Sequence, residues 1–314
     1  MHTRRFLMSE IIHWDELPTG AMATLWHPYI LSGAVNLLQG DSTAGKSYLS
    51  QAIIAALTTG QALPNADPLP PCNVILQNAE NSFTHVIKPR LVRLGADFAR
   101  IKSINESQER LSLMSPKIEA TIVRYEAKLL CADPIQAYMN MYKLETVRET
   151  LVSLGQVAAR TGCAVLLIGH LTKSQTKAQY RGLGSQDIFN SIPNVLNLAQ
   201  VDDDTRVLVH NKCNFFEVGS PIAFTLKDGF RWVGEYDITL EELLSGGISP
   251  QRDRQRGRAK EFLEAILEDG EVGSTEVYAQ AEAEGISRRT LERAKSELGV
   301  RSVQYSDGWV WMLE

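Results

Sequence analysis

The segment Gly40-Asp41-Ser42-Thr43-Ala44-Gly45-Lys46-Ser47 constrains this chain more than any other stretch. It fits the pattern G-x-x-x-x-G-K-[ST] and lies in the setting that pattern requires. Residues 35–39 before it form an apolar run short enough for a buried strand. Residues 48–57 after it are rich in Ala, Leu and Ile, and Gly60 is placed to end a helix. A strand, a glycine-bounded turn and a helix N-terminus aim backbone N–H groups and a positive dipole end at one point, where an anion binds. Residues Gly40 to Tyr48 then cradle the phosphates of a nucleotide. Lys46 reaches the β- and γ-phosphates, and the Ser47 hydroxyl faces Mg²⁺. A guanine-reading N-K-x-D stretch is missing, because Asn211-Lys212-Cys213-Asn214 lacks its aspartate, so the expected cofactors are ATP and Mg²⁺.

With 314 residues the chain has room for one large α/β domain and a smaller one. No apolar run approaches the roughly 20 residues that span a bilayer, so no membrane association is expected. Met1-His2-Thr3-Arg4-Arg5 leads into only a short apolar patch without a small-residue cleavage site. Cys72, Cys131, Cys163 and Cys213 show no metal spacing and read as reduced core residues of a cytoplasmic protein. A net charge of −5 argues against a wholly basic nucleic-acid coat, while leaving room for a local patch.

From residue 35 to about 198, strand candidates alternate with helices: strand 73–77, helix 83–94 capped by Ser82, helix 116–126 opened by Ser115-Pro116, strand 129–132, helix 144–160 and strand 164–168. Such alternation predicts a mostly parallel sheet with ligands at the carboxyl ends of its strands. Later runs at 195–198, 206–210, 223–226 and 230–233 are short and punctuated by turns, which predicts antiparallel edge strands. Residues 235–258 read as a linker. Beyond it, helices at 259–268, 275–283 and 290–298, with Ser274 and Ser287 as N-caps, precede a hairpin around Ser306-Asp307-Gly308. Three helices and a hairpin follow the winged-helix order. The expected domains are a segment 1–29, a core 30–237, a linker 238–257 and a terminal domain 258–314.

Three strand ends offer chemistry. Asp133 closes the run Leu129-Leu130-Cys131-Ala132, where a metal-ordering carboxylate belongs, although a turn residue before Pro134 reads the same way. Glu80 follows strand 73–77 and is the candidate to activate water, against the plainer reading of a solvated loop carboxylate. His170 ends the third run and opens a polar loop, 172–185, carrying Lys173, Lys177, Tyr180 and Arg181. It reads either as a sensor of the γ-phosphate or as a structural histidine. Arg181, in a Gly-rich setting, reads either as an arginine finger or as a surface residue.

The phosphate loop, Gln77-Asn78-Ala79-Glu80-Asn81, Cys131-Ala132-Asp133-Pro134, Ile168-Gly169-His170-Leu171-Thr172-Lys173 and Tyr180-Arg181-Gly182 stand in the order typical of RecA-like ATPases. Over roughly residues 15–235 the chain resembles the AAA_25 group, which is similar to plasmid RepA-type hexameric replicative helicases. The resemblance implies a RecA-like P-loop core that assembles into homo-oligomeric rings such as hexamers, with ATP held between subunits. It implies Glu80 as the catalytic glutamate, His170 as the sensor and Arg181 as a finger acting in trans. Lys212 matches a late-strand lysine near the neighbouring nucleotide. Two departures stand out: Ser42-Thr43-Ala44 replaces the Pro-Gly of many relatives, and Asn214 stands where DnaB-like helicases carry arginine.

Two loops, 136–143 with Tyr138, Tyr142 and Lys143, and 172–185, combine aromatics and cations suited to single-stranded DNA, against the plainer reading of tyrosines packed at a subunit interface. Residues 258–314 carry seven Lys/Arg against twelve Asp/Glu, opposite to the usual nucleic-acid footprint, although Arg288, Arg289, Arg293 and Lys295 share the third helix. Trp309 and Trp311 alternate with valines and read as core. The expected function is an oligomeric, Mg²⁺-dependent ATPase coupling hydrolysis to single-stranded DNA binding or translocation. The rival is an ATP-switched regulator that binds DNA through the winged helix without unwinding it.

Overall fold

From Val35 to Glu235 the apolar runs that form strands join one sheet. The computed structural model describes residues 15, 20–107, 109–139, 141, 144–170, 190–239, 250–268, 270–305 and 308–313. The chain divides into two units, Met1–Gln200 with Asp204–Tyr236, and Val201–Asp203 with Asp237–Glu314.

The first unit runs β1 (Thr24–Trp26), β2 (Ile30–Leu31), β3 (Val35–Gly40), α1 (Lys46–Thr59), β4 (Val74–Asn78), α2 (Lys88–Arg93), β5 (Ile101–Lys102) and α3 (Pro116–Tyr125). It continues with β6 (Leu129–Asp133), α4 (Leu144–Thr161), β7 (Ala164–His170), β8 (Asn194–Gln200), β9 (Thr205–Cys213), β10 (Ile222–Thr225) and β11 (Arg231–Glu235). Among the described residues β3 to β11 form a nine-stranded sheet ordered β11-β10-β9-β8-β3-β7-β6-β4-β5. The strands from β8 to β5 are mutually parallel, and β9, β10 and β11 are antiparallel. This is a mixed α/β architecture with a mostly parallel sheet, consistent with a RecA-like core.

One expectation is corrected here. The run at 195–198 is not an antiparallel edge strand: β8 pairs in parallel with β3, Leu37 opposite Val195, and the antiparallel strands begin at β9. The apolar side chains of β8 are buried on both faces of the sheet, as parallel strands require, and the interval from His170 to Asn194 is long enough for a crossover.

Helix α1 lays Ile53, Ile54 and Leu57 over Leu38, Leu76 and Leu196 on one face, where Trp26 and Tyr29 also pack. Helices α3 and α4 bring Ile118, Ile122, Val147 and Leu151 against Val35, Leu37, Leu130 and Val165 on the other. Ser82 caps the following turn by accepting from His85 N–H at 3.2 Å, but that turn is a π-turn over Phe83–Ile87 rather than the start of an even α-helix. Pro89 explains it: a proline ring collides with the carbonyl four residues back, and a wider turn moves that carbonyl aside.

The second unit contains α5 (Pro250–Leu267), β12 (Val272–Gly273), α6 (Ser274–Ala283), α7 (Arg288–Glu297), β13 (Arg301–Tyr305) and β14 (Gly308–Met312), with its strands ordered β12-β14-β13. Helix α5 begins nine residues before the expected 259, taking in a stretch read as linker; Pro250 at its first position and the following arginines suit a helix start and interior. Ser274 is the first helical residue and Gly273 the cap, because Val272 and Gly273 pair with Trp311 and Val310 and bring the chain in one residue early. Ser287 caps α7 as expected, accepting from Thr290 N–H at 3.2 Å. Leu263, Val277, Leu291 and Trp311 form the unit's core. Trp309 is the other correction: it is 50% exposed, one pleat beyond the buried Trp311 on the same face of β14.

Candidate active site

Because β7 lies between β3 and β6, the carboxyl ends of β3, β7, β6 and β4 form one continuous rim. Register pairs Gly40 with His170 and Asn78 with Asp133, so the three candidate strand ends converge beside the phosphate loop. Both motif glycines are demanded by geometry. A Cβ on Gly40 would sit 2.1 Å from the carbonyl oxygen of Leu198 in β8, and Gly45 caps α1 with a φ of +94°.

Lys46, the first residue of α1, is 3% exposed. Its ammonium donates to the carbonyls of Gly40 at 2.8 Å and Asp41 at 2.6 Å, and lies 3.3 Å from His170 Nδ1. Burial pulls its pKa below the usual lysine value, while Asp133, Asp41 and Glu80 act to keep it charged. Ser47 Oγ donates to Asp133 Oδ2 at 2.7 Å. Burial raises the pKa of Asp133 above the usual carboxylate range, and the Ser47 hydrogen bond opposes that shift. Glu80 Oε1 stands 3.7 Å from His170 Nε2. The loop, Lys46, Ser47, Glu80 and His170 surround a cavity of about 450 Å³, within the range of small-molecule sites.

A hydroxyl and a carboxylate side by side are the hard oxygen donors that Mg²⁺ takes, so Ser47 and Asp133 could hold such an ion beside the phosphate loop. Lys46, held on two loop carbonyls, can transfer its hydrogen bonds to phosphate oxygens without leaving the loop. The arrangement can bind a nucleoside triphosphate, order its metal and present a carboxylate to water.

Residues 4–176, more than half of the chain, match the AAA_25 family of AAA domains. The chain belongs to this family. It is thus a member of a P-loop ATPase family, and the AAA domain match covers the phosphate loop, Glu80, Asp133 and His170. No curated protein matches the chain significantly.

The other expected site residues fall elsewhere. Arg181 lies outside the described residues, as do Tyr142 and Lys143 of the anticipated strand-binding loop. Lys212 is paired opposite Val195, toward the amino end of the parallel strands, and its ammonium donates to the carbonyls of Asn190 at 3.0 Å and Ile192 at 2.8 Å. It is not among the residues that line the phosphate-loop cavity of its own chain. Tyr138 is 2% exposed and belongs to the core, so its ring is not presented to a strand. Among the described residues no helix is long and apolar enough to cross a membrane. All four cysteines are free thiols, two of them buried.

Two cavity residues carry no signal in the sequence. The Arg90 guanidinium, from α2, stacks 4.0 Å above the Tyr48 ring. Arg206, from β9, lies beside Gly45, its Cδ 3.7 Å from where a Cβ would be, with Leu226 next to it. Both arrive through packing and strand return rather than through a motif. A larger cavity of about 610 Å³ opens on the other face beside Gln136, Met114, Met139 and Met141. It shares no residue with the phosphate site.

Proposed function

We propose that this AAA domain protein is an oligomeric, Mg²⁺-dependent ATPase of the RecA-like helicase group, coupling ATP hydrolysis to single-stranded DNA. The observation that carries the reading is the 2.7 Å contact between the buried Asp133 and Ser47, which lines a cavity together with Lys46, Glu80 and His170. Ser47 and Asp133 would hold Mg²⁺, which would supply charge neutralisation to the phosphates of a bound nucleotide. Lys46 exchanges its carbonyl partners for phosphate oxygens. Glu80 orients and deprotonates water, and His170, between Lys46 and Glu80, senses whether the γ-phosphate is present. The Arg90–Tyr48 stack supports the nucleobase, and Arg206 and Leu226 line the same cavity. Arg181 and Lys212 are assigned to a neighbouring subunit's nucleotide. Homo-oligomeric rings such as hexamers are part of this proposal on the likeness to RepA-type helicases, and a cytoplasmic setting on the free cysteines.

A second reading has its own support in the terminal unit. The order α5, β12, α6, α7, β13, β14 resembles that of winged helices, and Trp309 in its hairpin is half exposed; both support this reading. In that reading the chain is an ATP-switched regulator gripping duplex DNA. Steady-state ATP hydrolysis with and without single-stranded DNA, with Lys46→Ala as the blank, separates the two. Several-fold stimulation that vanishes in the blank supports the motor. Lys46-dependent binding with slow turnover indifferent to single strands supports the regulator.

A further inference from the structure

Asn78 ends β4 directly opposite Asp133 and is 7% exposed. Its side chain works in two directions. Nδ2 donates to Asp133 Oδ2 at 3.2 Å, the oxygen that also accepts from Ser47. Oδ1 accepts from the backbone N–H of Glu80 at 3.1 Å and of Asn81 at 2.7 Å. A primary amide donates from one end and accepts at the other, and no carboxylate or hydroxyl of similar size can do both across this span.

We infer that Asn78 is a positioning residue that sets the placement of the water-activating Glu80 relative to the metal-side carboxylate of Asp133. The inference rests on the roles proposed above for those two residues. The sheet ladder ends with Ala79 N–H donating to Asp133 O at 3.1 Å, so beyond that point strand pairing no longer holds the chain. Glu80, whose side chain is 53% exposed, follows immediately. The turn closed on Asn78 Oδ1 holds Glu80 against the strand end until Ser82 caps the next turn. On the other side, two donors on Oδ2 fix the rotation of the Asp133 carboxylate. One side chain thus ties both acids to a single frame.

The neighbouring Gln77 is a built-in control. It makes as many hydrogen bonds at the same strand end, to Ile104 N–H at 2.6 Å, Ile104 O at 3.2 Å and Glu106 Oε1 at 2.9 Å, and contacts neither acid. A merely structural role for Asn78 would make the two residues equivalent.

The test uses the full chain with Asn78→Ala, Asn78→Asp and Gln77→Ala, reading kcat, affinity for a fluorescent ATP analogue, thermal midpoint and amide hydrogen exchange at residues 80 and 81. Asn78→Ala should lower kcat about 10- to 100-fold with analogue affinity retained, and should speed exchange of both amides. Asn78→Asp keeps the acceptor but replaces the donor to Asp133 by a second carboxylate. It should leave exchange slow and kcat still at least about tenfold down. Gln77→Ala should lower the thermal midpoint comparably and leave kcat within about threefold. Wild-type exchange in Asn78→Ala, full activity in Asn78→Asp, or equal kcat losses in the two alanine variants would overturn the inference. If the wild type shows no Lys46-dependent hydrolysis, the ATPase reading fails instead, and the exchange data still decide whether Asn78 holds the Glu80 turn.

Discussion

The sheet carries a buried polar cluster toward each end, and the two are built in opposite ways. Toward the amino end, Asn36 and Asn194 are fully buried and His210 is 3% exposed, yet their side-chain polar atoms are all bonded. Asn194 donates to Tyr29 O and Asn36 Oδ1, Asn36 accepts from Leu31 N–H and donates back to Leu31 O, and His210 is bonded at both ring nitrogens. Gly219 N–H donates to Nδ1, so the proton sits on Nε2 and is given to Asn194 Oδ1. Toward the carboxyl end, the ammonium of Lys46 rests on loop carbonyls, and Gln39 Oε1 and Asn197 Nδ2, although both residues are buried, have no hydrogen-bond partner among the described residues. A closed network specifies the fold, whereas an incompletely satisfied one keeps groups ready for something else.

The comparison breaks hardest at Lys46. Lys46→Ala should cut ATP hydrolysis about a thousandfold or more, since the transferring phosphoryl loses its cation, while the thermal midpoint stays near wild type. A large drop in midpoint would mean that the carboxyl-end cluster is structural as well. Glu80→Gln comes next. It should lower kcat about 10²- to 10³-fold with KM nearly unchanged, because the carboxylate acts on water and not on the phosphates. A loss confined to KM would remove Glu80 from the water-activating role.

The amino-end cluster should respond in stability alone. Asn194→Leu strips partners from Tyr29 O, Asn36 Oδ1 and His210 Nε2–H, and should destabilise by about 3 kcal/mol in denaturant titration, with activity per folded molecule retained. The same cluster sets an acid limit. Burial pushes the His210 pKa down to about 4, below the unfolded value of 6.5, so the unfolded chain binds the extra proton between those values. Stability from this group is therefore complete above pH 6.5 and falls as the pH drops toward 4, by about 3 kcal/mol in all. A His210→Gln variant should lose that limb of the stability–pH curve. If the limb persists, another buried group causes it.

What was legible in the sequence follows the same division. The phosphate loop is contiguous, so its strand, turn and helix could be read together. Asp133, Glu80 and His170 each follow an apolar run, so a parallel sheet brings them to one rim. Asn78, Arg90 and Arg206 were not legible, because their roles depend on register, helix packing and the return of an antiparallel strand. The parallel pairing of β8 was missed because a short strand with turns around it looks alike in either direction. Trp309 and Trp311 share the same alternation, yet only Trp311 reaches the core. His210 carries no signal in the sequence, since its partners Asn194 and Gly219 become neighbours only in the folded sheet.

The smallest expected effect tests the comparison most finely. Gln39 Nε2 donates to Asn197 Oδ1 at 3.2 Å, and Asn211 Nδ2 donates to the same oxygen at 3.1 Å. Replacing Gln39 by Met, close in shape and apolar, removes one unbonded acceptor and leaves Asn197 Oδ1 its bond from Asn211. Stability should then change by less than about 1 kcal/mol, in either direction, because losing a half-satisfied group costs little. This is the reverse of the outcome expected at Asn194. Gln39 directly precedes Gly40, so if its amide serves the phosphate loop, the variant should lose turnover while remaining as stable as wild type. Loss of stability without loss of turnover would place Gln39 with the amino-end cluster and erase the distinction between the two ends.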